Sequence, residues 1–170
     1  MKKSVFSTLA LVSICAVMAI LLALTNFLTA PTIKKNQEEA VKKALLQVMP
    51  DGEDFEEVDI KNINLPKTVT GIFKATSGGY VFQLTTTGFD KGLVIMCGIN
   101  ADGTISGAVC LSSQETLGKE KTYGKNFTGK NTTEVSAVDT VSGATKTTAA
   151  YKDAVKDALT AFETLKGGND

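Results

Sequence analysis

Leu93-Val94-Ile95-Met96-Cys97-Gly98-Ile99-Asn100-Ala101-Asp102-Gly103-Thr104-Ile105-Ser106-Gly107-Ala108-Val109-Cys110-Leu111-Ser112 is the stretch on which the fold turns. Leu93–Ile99 is apolar throughout, as a central strand covered on both faces must be. Asn100-Ala101-Asp102-Gly103 is a strong turn signal, and Thr104–Ser112 runs back from it. Two apolar runs joined this way read as an antiparallel hairpin. The simplest register sets Ile99 opposite Thr104 and Cys97 opposite Ser106. Cys110 then lies roughly 13 Å along the strand, beyond the reach of a disulfide. Cys15 sits alone in an apolar stretch. The cysteines read as small buried hydrophobes, not as a disulfide framework.

Working back from the hairpin, Tyr80–Thr86 and Val69–Ala75 read as two more strands joined at Ser77-Gly78-Gly79. Gly88-Phe89-Asp90-Lys91-Gly92 is the next turn. Asp51–Leu65 carries Asp51, Glu53, Asp54, Glu56, Glu57 and Asp59. Their spacing matches no calcium loop, so the segment reads as exposed and irregular. Before it, Ile33, Val41, Ala44, Leu45 and Val48 form a stripe at helical spacing. Thr32 suits the N-cap, and Pro50-Asp51-Gly52 stops the helix. Glu38–Lys42 and Glu39–Lys43 are favourable i,i+4 pairs.

No charge falls between Lys3 and Lys34. The apolar run Val5–Leu28, about 36 Å long as a helix, exceeds a ~30 Å hydrocarbon core. It is too long for a signal-peptide core and has no well-placed small-residue cleavage site. An uncleaved single-pass anchor ending at Pro31 is expected. Lysines flank it on both sides, so charge does not choose the orientation. An N-terminal anchor with a large C-terminal domain favours export of that domain.

Beyond the hairpin, Ser113–Lys130 turns to Gly, Lys and Thr and reads as a long loop with isolated aromatics, Tyr123 and Phe127. Glu134–Val138 reads as a short strand. A last helix starts near Thr145 or Thr147, with Tyr151, Val155, Ala158, Leu159, Phe162 and Leu165 on one face, and ends at Gly167-Gly168. The fold class is α+β: residues 1–30 form a transmembrane helix, and residues 31–170 form one domain with an antiparallel sheet and flanking helices.

Composition removes whole classes of chemistry. All 18 basic residues are Lys, balanced by 18 acidic ones, and His and Trp are absent. Without His there is no Ser-His-Asp or Cys-His catalysis and no His-ligated zinc. A neutral chain without Arg is no nucleic-acid binder.

One stretch carries chemistry: Asp139-Thr140-Val141-Ser142-Gly143-Ala144-Thr145-Lys146-Thr147. Gly143 and Ala144 allow close approach to the backbone. Free N–H groups at a helix start, with the helix dipole, suit a phosphate, and Ser142, Thr145 and Thr147 add hydroxyls. On residue types alone an ordinary capped helix, with Ser142 or Thr145 as N-cap, is the better reading.

The order Asp-x-x-Ser-Gly-Ala-Thr resembles the flavinylation motif of the FMN-binding domain family. In that family a flavin transferase joins the FMN phosphate to the last Thr as a phosphoester. The resemblance implies that Thr145 carries covalent FMN, with Asp139, Ser142, Gly143, Ala144 and Thr147 around it. The anchor, the Gln37–Val41 helix ending at Pro50, Gly79-Tyr80-Val81-Phe82 and the Asn100–Gly103 turn follow the order of the G subunits of the Rnf complex. That complex is an ion-translocating ferredoxin:NAD oxidoreductase. The family's Glu-Thr-Pro-Gly-Leu-Gly loop is shortened here to Glu115-Thr116-Leu117-Gly118. Glu115 and Thr116 still align with it as cofactor contacts.

The resemblance implies an electron carrier whose domain lies outside the membrane, with the N-terminus cytoplasmic. It also implies the membrane and iron–sulfur subunits of the complex as partners, and a separate transferase for maturation. Tyr123 and Phe127 are the expected ring contacts, while Tyr80, Phe82 and Phe89 read as core. The chain has no acid, base or nucleophile set of its own, so the flavin supplies the chemistry. Three alternatives stay open: the C subunit of the sodium-translocating quinone reductase, a free-standing anchored FMN protein, and a flavin-free tethered module.

Overall fold

The computed structural model describes residues 2–61 and 63–167, with side chains from residue 8 onward. The chain divides into two compact units, Met1–Ala40 and Val41–Asp170. Helix α1 spans Lys2–Val48 without a break and contains Pro31. This corrects the expected stop at Pro31 and the N-cap at Thr32. Proline removes one rung of the ladder. The residues around it offer no competing turn, and the Thr29 hydroxyl bonds back to the Thr25 carbonyl at 2.8 Å within the same helix. Among the described residues, the ion pair on this helix is Lys34–Glu38 at 4.0 Å, in place of the two expected pairs. All are exposed, where such pairs contribute little.

In the second unit five strands form one antiparallel sheet in sequence order: β1 Phe55–Glu57, β2 Val69–Ala75, β3 Tyr80–Thr87, β4 Lys91–Ile99 and β5 Ile105–Ser112. Strand β1 lies inside the segment read as irregular. It is three residues long and pairs through Phe55–Ala75 to Glu57–Phe73, too short to show a period of two.

Each face of the sheet is covered. On one face Ile72, Phe82, Leu84, Ile95, Cys97 and Ile99 pack with Tyr151, Val155, Ala158 and Leu159 of the last helix, Thr145–Gly167, here α4. On the other, Ala75, Val81 and Met96 pack with Ala44, Leu45, Val48 and Met49. This double burial is why Leu93–Ile99 is apolar without alternation. Gly168, expected to help end α4, lies outside the described residues.

The hairpin turns where expected. Asn100 N–H donates to the Thr104 carbonyl at 2.8 Å, and Gly103 sits at φ +88°. Its register differs. Gly98 pairs with Gly107 but Ile99 with Ile105, so Ser106 is an extra, bulged residue. Cys97 therefore faces Ala108 instead of Ser106, and Cys110 faces Ile95. Both thiols remain free. The bulge turns the Ser106 hydroxyl to the Val48 carbonyl at the end of α1, 2.6 Å away. Gly98 and Gly107 let that helix end approach: a Cβ on either would press on Val48 backbone atoms at 2.9 and 3.1 Å.

The expected long loop is largely helical. Helix α2, Glu120–Tyr123, runs into a 3-10 turn over Gly124–Phe127. Tyr123 and Phe127 are core residues. Their rings meet edge-on at 5.2 Å, and Phe127 stacks on Tyr151 at 5.8 Å. Gly124 permits this, because a Cβ there would overlap the Ala108 carbonyl. The strand expected at Glu134–Val138 is instead helix α3, Thr132–Val135. Asn131 and Glu134 form a capping box: Asn131 Oδ1 accepts from Glu134 N–H at 3.2 Å, and the Glu134 carboxylate accepts from Asn131 N–H at 3.1 Å.

Candidate functional site

Helix α4 begins at Thr145, the expected acceptor. Its entry is built by the preceding residues. Ala144 N–H donates to the Val141 carbonyl at 3.0 Å, and Gly143 adopts φ +81°. A Cβ on Gly143 would meet open space, so glycine is required there for its backbone conformation. Thr148 ties the entry down: its hydroxyl accepts from Val141 N–H at 3.1 Å and donates to the Ala144 carbonyl at 2.9 Å. The first rung of the helix runs from Thr148 N–H to Ala144, leaving the N–H groups of Thr145, Lys146 and Thr147 ahead of the ladder.

The threonines of this turn differ sharply. Thr145 is exposed, and its hydroxyl reaches only the Val141 carbonyl, at 3.5 Å. Thr147 is 4% exposed and donates its hydroxyl to Glu115 Oε2 at 2.6 Å. Glu115 Oε1 accepts from Asp90 N–H at 3.1 Å. One carboxylate thus joins the β3–β4 turn, the segment after β5 and the first turn of α4. Gly88 makes room for it: a Cβ there would collide with the Glu115 carboxylate and sit 3.1 Å from Thr147 Cα.

These three segments enclose a cleft of about 260 Å³, lined by Phe89, Glu115, Thr116, Leu117, Glu120, Gly143, Ala144, Lys146 and Thr147. Five of the expected site residues, Gly143, Ala144, Thr147, Glu115 and Thr116, therefore meet in one place. Thr145 stands between two lining residues. Asp139 and Ser142 are exposed and do not line the cleft. Tyr123 does not reach it either; it is 2% exposed and donates its hydroxyl to the Asp139 carbonyl at 3.0 Å. Its burial, with the Asp139 carboxylate as a second cause, raises the phenol above its usual pKa.

Phe89, read as core, is instead 66% exposed at the cleft. Lys146 Nζ lies 6.0 Å from its ring centroid, bridging α4 and the turn. Leu117 is 62% exposed on the other segment. No motif in the chain pointed to Glu120, and Lys146 lies within the Asp139–Thr147 stretch but outside the positions its motif fixes. Phe89 was detectable only from its place inside a glycine-flanked turn.

The residues fit a flavin mononucleotide in kind. The apolar side chains of Phe89 and Leu117 suit a planar ring, and the N–H groups ahead of the ladder in α4 suit a phosphate. The volume is below the usual ~300–1,000 Å³ of small-molecule pockets, so part of the ligand would lie outside the cleft.

Comparison with known families agrees. Residues 88–160 match the FMN-binding domain, and residues 1–48 match the RnfG N-terminal region. Fold and cleft define an FMN-binding domain protein. One relative is the G subunit of the Na(+)-translocating ferredoxin:NAD(+) oxidoreductase complex of Acetobacterium woodii, 32% identical across 78% of this chain and 72% of the relative. Another is the G subunit of the ion-translocating oxidoreductase complex of Cereibacter sphaeroides, 30% identical across 86% of this chain and 78% of the relative. The chain belongs to this family of Rnf-complex G subunits. Its apolar N-terminal helix is long enough to cross a membrane, and with that family it marks a single-pass membrane protein.

Proposed function

We propose that the chain relays electrons within an ion-translocating ferredoxin:NAD oxidoreductase complex, through FMN held covalently at Thr145. The observation that carries the acceptor assignment is the contrast between an exposed, weakly bonded Thr145 hydroxyl and a buried Thr147 hydroxyl already committed to Glu115. Both stand on the first turn of α4, where the helix dipole favours a phosphate.

Attachment requires an activated donor. The Thr145 Oγ–P bond forms as the P–O–P anhydride bond of a flavin dinucleotide breaks. The hydroxyl proton passes to a base of the transferase, and the other half of the dinucleotide leaves as a nucleoside monophosphate. A separate flavin transferase performs this step. Once bound, the flavin supplies the one- and two-electron chemistry. The cleft residues would hold it: Phe89 and Leu117 would offer apolar surface to the ring, and Gly143 and Ala144 would leave room beside the phosphate. The domain lies on the outer side of the membrane with the N-terminus cytoplasmic, beside the membrane and iron–sulfur subunits of the complex. Covalent attachment prevents loss of the flavin there.

Mass spectrometry of the tryptic peptide Asn131–Lys146, from protein co-expressed with a flavin transferase, tests the assignment. One FMN phosphoester on Thr145 is expected, with loss of in-gel flavin fluorescence in Thr145→Ala. An unmodified peptide, or an adduct on Thr140, would refute it.

A further inference from the structure

We propose that Glu120 sets the reduction potential of the flavin, an inference that rests on the cleft being the FMN site. Glu120 is 1% exposed yet lines the cleft beside Phe89, Leu117 and Gly143. Ser113 Oγ donates to its Oε1 at 2.6 Å, and no ion pair reaches it among the described residues. The flanking Lys119 and Lys121 are exposed. Lys146 is the cation lining the same cleft, but it sits over the Phe89 ring and forms no ion pair with Glu120 among the described residues. A shielded carboxylate with one hydroxyl partner and no ion pair keeps much of its field.

Electrons added to the isoalloxazine place negative charge beside that carboxylate. The fixed charge disfavours the reduced form and lowers the potential, by the same interaction that shifts a pKa near a like charge. Glu115 also lines the cleft, but hydrogen bonds from Thr147 and Asp90 absorb part of its charge. Glu120 is the less compensated of the two. It touches no reacting atom that the structure defines, so it acts as a positioning charge.

The test uses the full chain, flavinylated by co-expression and purified in detergent, with the adduct verified before measurement. Midpoint potentials come from spectroelectrochemical titration at fixed pH. Glu120→Gln shifts the potential to less negative values, on the order of tenfold in the equilibrium constant for reduction. Glu120→Asp, which keeps the charge, stays near the wild type. Glu120→Ala, which admits water where the amide does not fit, shifts in the same direction as Gln. A potential that is unchanged or more negative without the charge overturns the proposal. So does an equal shift in Glu120→Asp, which marks a packing effect. Wild-type protein without covalent flavin defeats the reading of the site itself, a separate outcome seen before any potential is measured.

Discussion

Thr147 donates its hydroxyl to Glu115 Oε2 at 2.6 Å, joining residues 32 apart in sequence. The same carboxylate takes the Asp90 N–H at 3.1 Å. This double acceptance holds the walls of the cleft together. It also leaves Thr145 as the accessible hydroxyl of the turn. Glu115→Ala strands two donors and should cost about 1–3 kcal/mol of stability, whereas Thr147→Val removes one bond and should cost about 1 kcal/mol. Denaturant titration in detergent measures both. In Thr147→Val the adduct should remain on Thr145, as read from the Asn131–Lys146 peptide.

Two glycines at the cleft should fail for different reasons. Gly88→Ala drives a methyl into the Glu115 carboxylate, so the clamp must shift at a cost of about 1–3 kcal/mol. Gly143→Ala meets no atom, but it forces a non-glycine residue to φ +81°, at about 1 kcal/mol. Gly143→Asn should be milder than Gly143→Ala, because Asn tolerates the left-handed region. No such relief is expected from Gly88→Asn. Thermal melts of the four variants separate the two causes.

The sheet was legible because its strands carry their own punctuation: Ser77-Gly78-Gly79, the Gly88–Gly92 turn and Asn100–Gly103. The start of α4 was legible from Asp139–Thr147. Register was not, because the Ser106 bulge answers to the Val48 carbonyl, 58 residues away. The helical character of 120–127 was hidden too, since Tyr123 and Phe127 are held by Tyr151 and by the space Gly124 leaves. Helix α3 did have a signal, Asn131-x-x-Glu134, that a strand reading of Glu134–Val138 passed over. Much of the cleft lining was illegible for the same physical reason: Phe89, Leu117, Glu120 and Lys146 come from three segments joined only by tertiary contacts.

The apolar run before Pro31 should stay with the mature protein and hold it in membranes through high salt and carbonate washes. Helix α1 exposes Leu21, Leu22, Leu24, Phe27 and Leu28, a surface that suits lipid rather than water. Release by carbonate, or an N-terminus beginning near Pro31, contradicts this. Protease added to intact cells should reach the domain. Protection there, with cleavage in inverted vesicles, reverses the proposed orientation.

Alkaline pH should destabilise the domain. Burial pushes the Cys97 thiol from its ordinary 9.0 up to about 12. Burial also raises the phenols of Tyr151 and Tyr123. Each group is neutral when folded and loses its proton more readily when unfolded. Above pH 9.0 the unfolded chain therefore binds fewer protons than the folded one, and unfolding becomes easier as pH rises. For Cys97 the contribution is intact below pH 9.0 and is lost progressively as pH rises toward about 12. The tyrosines extend the loss from their ordinary value of 10.0 upward. Denaturant midpoints measured in steps from about pH 8 to 11 should fall, with Cys97→Ala flattening the first part of the decline. Native Cys97 should also resist alkylation at about pH 8.5 and react once the chain is unfolded. A flat stability profile, or rapid native labelling at Cys97, would show that this strand is not closed to solvent as its packing requires.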